Sequence, residues 1–334
     1  TPLTIGTGKG NDISDAVCVV DANGLPTIPG PSLAGAMRNA WRNIADPPIS
    51  EVELFGFQNQ GKGASSRLEV SWGQVHGVSN CPVPCRDTKE NPDSVLTFLR
   101  EGVLRDHVRI GPRGAAEEHG KFDEVLVPAG ARFTFELIVH ADSEKLSLAK
   151  AALRMLVGIL GSDFCLGGRT RRGFGRVKVI EARGDAFDLR NPADREKFLK
   201  VDPRLSRPAG EVLATLKPTR GRRHDQVTAT LTLRAEDYWL FGTGIDVRPE
   251  HRTDPDNPSA KPHDKIPVTE RRIRWASSVG IVDEPCHADV LLPATSIKGA
   301  LRHRALFHAR RIRKEWVQEH AGDFCAVERA RGDA

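Results

Sequence analysis

The chain has 334 residues, with 49 Lys and Arg against 44 Asp and Glu and a formal net charge of +5. At 39% hydrophobic residues it can bury an ordinary core, which excludes wholesale disorder. Its longest apolar run, Ala151 to Leu160, is interrupted by Arg154, too short for a helix that spans a bilayer. Aromatic residues make up only 6%, which argues against a single-strand binder built mainly on stacking platforms. Thr1 to Gly10 has neither a charged leader nor an apolar stretch, and six Cys are too sparse for a disulfide framework. A cytoplasmic protein without a membrane partner is therefore expected.

In chain order, Pro29-Gly30 reads as a turn, Ser32 as an N-cap and Leu33 to Ile44 as a helix. Arg132 to His140 alternates Phe133, Phe135, Leu137 and Val139, the pattern of a half-buried strand. Asp142 or Ser143 caps a helix running to Leu160, with Leu146, Leu153, Leu156 and Leu160 on its apolar stripe. A Gly-rich turn and a strand over Arg176 to Glu181 follow, and Gln226 to Leu233 alternates again. Ser296 stands before a helix over Ile297 to Trp316. Strands and helices joined by short antiparallel-type connections predict an α+β, ferredoxin-like fold.

Two of these segments repeat. Ile28-Pro-Gly-Pro-Ser-Leu-Ala-Gly-Ala-Met-Arg38 aligns with Leu292-Pro-Ala-Thr-Ser-Ile-Lys-Gly-Ala-Leu-Arg302, and Ile5-Gly-Thr-Gly8 aligns with Phe241-Gly-Thr-Gly244. The offsets are 264 and 236, so the second copy carries 28 extra residues, assigned to a Pro-rich loop over 245–272. The chain reads as a tandem duplication: a first module over 1–205 and a second, incomplete one over 211–334.

The charge is concentrated. Residues 28–45, 167–178 and 292–314 hold 14 basic side chains and no acid, against 35 basic and 44 acidic residues elsewhere. In Leu166-Gly-Gly-Arg-Thr-Arg-Arg-Gly-Phe-Gly-Arg-Val177, Gly167, Gly168, Gly173 and Gly175 allow close backbone approach and free N–H groups, and Arg169, Arg171 and Arg172 offer guanidinium forks for phosphate. No Gly-Lys-Ser/Thr follows, so an extended phosphate backbone fits better than a mononucleotide. The two helix starts, with Ser32 and Arg38 in one copy and Ser296, Lys298 and Arg302 in the other, are further anion-ready elements. The plain alternative is a tight turn and two amphipathic helices with solvated cations.

The Pro-Gly-x-Ser-Leu turn and helix, the Gly-Gly-Arg-Thr-x-Arg-Gly-Phe-Gly-Arg loop and the Leu292–Arg302 repeat together resemble the RAMP (repeat-associated mysterious protein) superfamily. The likeness is strongest to backbone subunits of type III CRISPR effector complexes, in the tandem-fused form of types III-D and III-E. The resemblance implies an RNA-recognition-like ferredoxin fold per module, with guide RNA, target single-stranded RNA and other effector subunits as partners. It places a cleaving acid at Asp15, ahead of Asp21 and Pro29, acting with Mg²⁺ or another divalent cation in an internal attack on the target strand. As ordinary chemistry, Asp12, Asp15 and Asp21 are also simple loop acids, Asp21 within a turn sequence. In module two the same count back from Pro293 lands on Val279, leaving Asp264 and Asp283 as weak candidates.

Arg67 and Arg109 lie in segments resembling those around the family's protruding hairpin, with residues 76–107 as a thumb-like insertion. Within it His76, Cys81 and Cys85 make three of the four ligands a structural Zn²⁺ normally takes. Two alternatives to target cleavage stand beside it: a purely structural guide-RNA scaffold, and a stand-alone guide-processing ribonuclease using His107 or His119.

Overall fold

Helix α1 (Gly30–Trp41) places Leu33, Met37 and Trp41 at four-residue spacing, all fully buried, and the first module packs around this stripe. The computed structural model describes residues 1–10, 14–83, 93–111, 115–162, 164–206, 210–213, 229–242, 267–276 and 282–313. Pro29 takes the N-cap place, and its carbonyl accepts the N–H groups of Ser32 at 2.9 Å and Leu33 at 3.1 Å. Ser32 therefore lies exposed in the first turn, where the sequence pattern puts it at the cap. The helix stops at Trp41, not Ile44, because Asn43 and Ile44 donate only three residues back.

Helix α2 (Glu51–Phe55) and the hairpin β1 (Phe57–Asn59)–β2 (Lys62–Ala64) follow. Next come β3 (Leu68–Val70), β4 (Gln74–Val75), α3 (Ser94–Glu101), and the long hairpin β5 (Val103–Ile110)–β6 (Ala116–Leu126). The strand expected over Arg132–His140 is divided into β7 (Phe133–Thr134), paired with β4, and β8 (Leu137–Val139), paired with β3. The break falls where the Ser71 hydroxyl accepts the Glu136 N–H at 2.8 Å. Helix α4 (Leu146–Leu160) follows a 3-10 turn over Ser143–Lys145 and packs on α1; Leu156 and Leu160 are buried as expected, while Leu146 is exposed. The stretch Arg176–Glu181 forms no strand, only a bridge from Arg176 to Cys165. After β9 (Arg183–Gly184), α5 (Pro192–Leu199) and β10 (Glu211–Val212), residues 229–233 of the predicted Gln226–Leu233 strand are in no ladder, and 226–228 lie outside the described residues. The hairpin β11 (Thr269–Trp275)–β12 (Val282–Val290) and helix α6 (Ala294–Arg313) close the described chain. The fold is α+β with antiparallel strand pairs, as the pattern predicts.

The two repeated segments share a backbone hydrogen-bond pattern. Ile5 O accepts from Val19 N at 2.8 Å and Phe241 O from Val268 N at 2.6 Å; Val19 O accepts from Thr27 N at 3.1 Å and Val268 O from Leu291 N at 2.8 Å. Pro293 O then receives Ser296 N at 3.0 Å and Ile297 N at 3.2 Å, repeating the Pro29 turn. Ile5 to Val19 spans 14 positions against 27 in the second copy, and Val19 to Thr27 spans 8 against 23. The 28 extra residues thus divide into 13 before Val268 and 15 within the β11–β12 hairpin, where the sequence comparison puts all of them at 245–272. In the stretch read as a thumb, Val95, Leu96, Phe98 and Leu99 of α3 lie in the core.

The second copy joins this core through β11. Ile273, 3% exposed, donates its N–H to Ala129 O at 2.9 Å, and Trp275 Nε1 donates to Gly130 O at 2.8 Å. Gly130 has φ +88, and a Cβ there would collide with the Ile273 carbonyl. Gly130→Ala is expected to destabilise the chain by about 1–3 kcal/mol in denaturant unfolding. Gly8→Ala, at φ +80 but in open space, is expected to cost less.

Candidate nucleic-acid interface

The Gly-rich segment is tied to the start of the chain. Gly168 N–H donates to Thr4 O at 2.8 Å, Gly175 N–H to Pro2 O at 2.7 Å, and Leu166 N–H to Gly175 O at 2.8 Å. A Cβ on Gly175 would collide with the Leu166 carbonyl, so only glycine permits this closure. These N–H groups are used inside the protein. Of the loop glycines read as offering free N–H groups, Gly168, Gly173 and Gly175 thus spend theirs on the protein's own carbonyls.

Those side chains divide. Arg169, left-handed at φ 57 and ψ 24, turns inward, pairs through Nη1 with Glu124 Oε1, and lies 5.0 Å over the Phe122 ring. Glu124 is 1% exposed and also bonds His107 Nε2 at 2.6 Å, and His107 stacks on Phe122 at 4.9 Å. Arg171 and Arg172, on a 3-10 turn over Thr170–Arg172, are exposed and carry no ion pair among the described residues. Phe174, 2% exposed, lies beneath Arg105, which pairs with Glu270 of β11. Burial lowers the Arg105 pKa, opposed by the Glu124 charge.

The second copy's helix start meets this loop. Helix α6 contacts the Thr170–Arg172 turn, and a Cβ on Gly173 would stand 3.1 Å from that of Ala294. Ser296 and Lys298, both exposed, thus lie within the first turns of a helix that begins beside Arg171 and Arg172. Arg302 is exposed further along α6. Two elements 122 positions apart are brought together, a juxtaposition that spacing alone does not show.

The remaining predicted arginines are paired within the protein. Arg38 binds Glu51 and, at 3.0 Å, Gly56 O; the Arg42 and Arg38 guanidinium groups hold the Glu51 carboxyl below its ordinary range. Arg67 pairs with Glu53 at 3.3 Å and Asp142 at 3.4 Å, and Arg109 with Glu117 at 2.8 Å. Glu124 and Phe122 escape the sequence reading. Their signal is a carboxylate in the alternating register Phe122, Glu124, Leu126 of β6.

Asp15 lies exposed beside β6. Its N–H donates to Asp123 Oδ1 at 2.9 Å, and its Oδ2 accepts the Asp123 N–H at 3.0 Å. One carboxylate oxygen is left to share a divalent cation with a phosphate, though not to hold one unaided; among the described residues no group of three potential metal ligands occurs. Asp21 is the turn acid its sequence suggests, accepting from Asn23 N at 2.8 Å and Leu25 N at 2.9 Å. Asp12 and Asp264 lie outside the described residues.

At the expected zinc position, both ring nitrogens of His76 are engaged, with Asn80 Oδ1 at 3.2 Å and Thr134 Oγ1 at 2.7 Å. Cys81 is exposed and Cys85 lies outside the described residues. As placed, with both ring nitrogens engaged, this histidine does not fit a metal. His107 is buried against Glu124, not open to a substrate, while His119 is exposed.

The family model of the RAMP superfamily matches residues 1–178, just over half of the chain, and the chain belongs to this superfamily. No curated protein matches it. Among solved structures it is similar to a chain of the type III-B Cmr-beta complex in its apo state, at 14% identity and TM-score 0.36. It is also similar to a chain of the type III-B Cmr-beta complex bound to cognate target RNA, at 16% identity and TM-score 0.42. Each match covers 53% of this chain and 92% of the other. No helix among the described residues is long and apolar enough to cross a membrane.

Burial holds the His76 pKa below its ordinary value. The unfolded chain therefore takes up the proton first, and stability should be full above about pH 6.5 and decline as pH falls below it. In urea unfolding across that range, His76→Gln is expected to flatten the decline.

Proposed function

We propose that this chain is an RNA-binding backbone subunit of a type III CRISPR ribonucleoprotein, holding guide RNA and cleaving complementary target RNA at module one. The observation that carries the reading is the outward pair Arg171 and Arg172 set against the start of α6. Guanidinium forks and a helix N-terminus both favour phosphate, and they converge here. Such contacts position a strand without reading its bases. Guide RNA, target RNA and other effector subunits are the partners. The triple variant Arg169→Ala, Arg171→Ala, Arg172→Ala should lose guide-RNA affinity with a shallower salt dependence, read by filter binding across a salt series.

Cleavage is assigned to Asp15. A divalent cation such as Mg²⁺, when bound, would supply charge stabilisation at the scissile phosphate. Asp15 would contribute its outer carboxylate oxygen, kept in place by the paired hydrogen bonds to Asp123. Counted from the matched backbone bonds, Asp264 stands four positions before Val268 as Asp15 stands four before Val19. This supports Asp264, rather than Val279, as the second copy's counterpart. In the assembled, guide-loaded complex, Asp15→Ala should abolish the target cut made at module one, seen as a missing band on a sequencing gel. Cutting that survives Asp15→Ala unchanged would leave the structural scaffold as the better reading. That alternative is favoured by the Asp123 N–H occupying Asp15 Oδ2.

A further inference from the structure

We infer that Glu124 is a positioning residue for the Gly-rich loop, holding Arg169 inward so that Arg171 and Arg172 face the RNA. The inference rests on the RNA-binding reading of the loop. A carboxylate at 1% exposure is costly to bury, and a buried ion pair rarely stabilises more than an apolar pair of the same shape. Glu124 concentrates two partners, Arg169 and His107, on its Oε1. Its Oε2 is buried without a hydrogen-bond partner among the described residues. Such an arrangement is poorly suited to stability alone.

What it holds is strained. Arg169 has a left-handed backbone, a conformation costing a non-glycine residue about 1 kcal/mol or more. The Glu124 pair and the Phe122 face are the side-chain contacts that keep it there. The turn carrying the other two arginines closes directly on it, since Arg172 N–H donates to Arg169 O at 2.7 Å. Displacing Arg169 therefore displaces Arg171 and Arg172 together. Positioning and simple electrostatics predict opposite signs. Removing an acid near a phosphate site should tighten RNA binding by charge alone, whereas loss of the anchor should weaken it.

The test uses the full chain and a fluorescein-labelled single-stranded RNA of mixed sequence, titrated over a salt series. Glu124→Gln is expected to weaken binding about tenfold with an unchanged salt slope, and to have no further effect in an Arg171→Ala, Arg172→Ala background. Arg169→Met should do the same, and it keeps the test open if Glu124→Gln fails to fold. Arg171→Ala, by contrast, should lower the slope by about 0.7. Equal or tighter binding by Glu124→Gln overturns the inference. So does a slope drop in Arg169→Met equal to that of Arg171→Ala, which would make Arg169 a phosphate ligand itself. Absence of salt-dependent binding by the unaltered chain removes the RNA-binding reading and the inference with it.

Discussion

Arg105 and Glu124 face each other across the β5–β6 hairpin, both withdrawn from water, and neither is satisfied by the other alone. A buried charge must find partners or become costly, and each recruits them from a different part of the chain. Arg105 takes Glu270 of the second copy and the Phe174 ring; Glu124 takes Arg169 of the Gly-rich loop and His107 of the hairpin. Hairpin, loop and second module are thereby held in one mutual arrangement. The residues beside this centre inherit their positions from it. Asp123, next to Glu124 on β6, fixes Asp15, while the turn after Arg169 carries Arg171 and Arg172.

The repeated turn-and-helix motif lies in two surroundings. Met37 of α1 is fully buried, while Leu301, its counterpart on α6, is 60% exposed. Helix α4 packs on α1, and no counterpart of α4 stands over α6 among the described residues. The Pro29 and Pro293 turn bonds are local and survive this difference, and the strand bonds of the repeat survive it too, across connections of unequal length. Burial is not local, and it diverges.

Several features were legible in the residues. The Pro29 and Pro293 turns, the helices after them and the Asp21 turn follow from short-range stereochemistry, which travels with sequence. Element ends were less so. Ser32 has the composition of a cap, but Pro29 supplies the carbonyl and the helix begins earlier. Arg132–His140 alternates like one strand, yet the Ser71 hydroxyl captures Glu136 and divides it. The loop glycines did announce a close approach, but what approaches is the chain's own Thr4 and Pro2.

Composition and spacing by themselves determined an α+β chain with a tandem repeat and three basic segments free of acid. Only the tertiary structure decided which of those cations face outward. Arg38 meets Glu51, 13 positions on, and Arg169 meets Glu124, 45 positions back, as Arg67 and Arg109 outside these segments meet Glu53 and Glu117, whereas Arg171 and Arg172 stand beside α6. The reason is physical: a guanidinium looks the same in sequence whether it is solvated or paired, and pairing is set by which strands and loops the fold packs together.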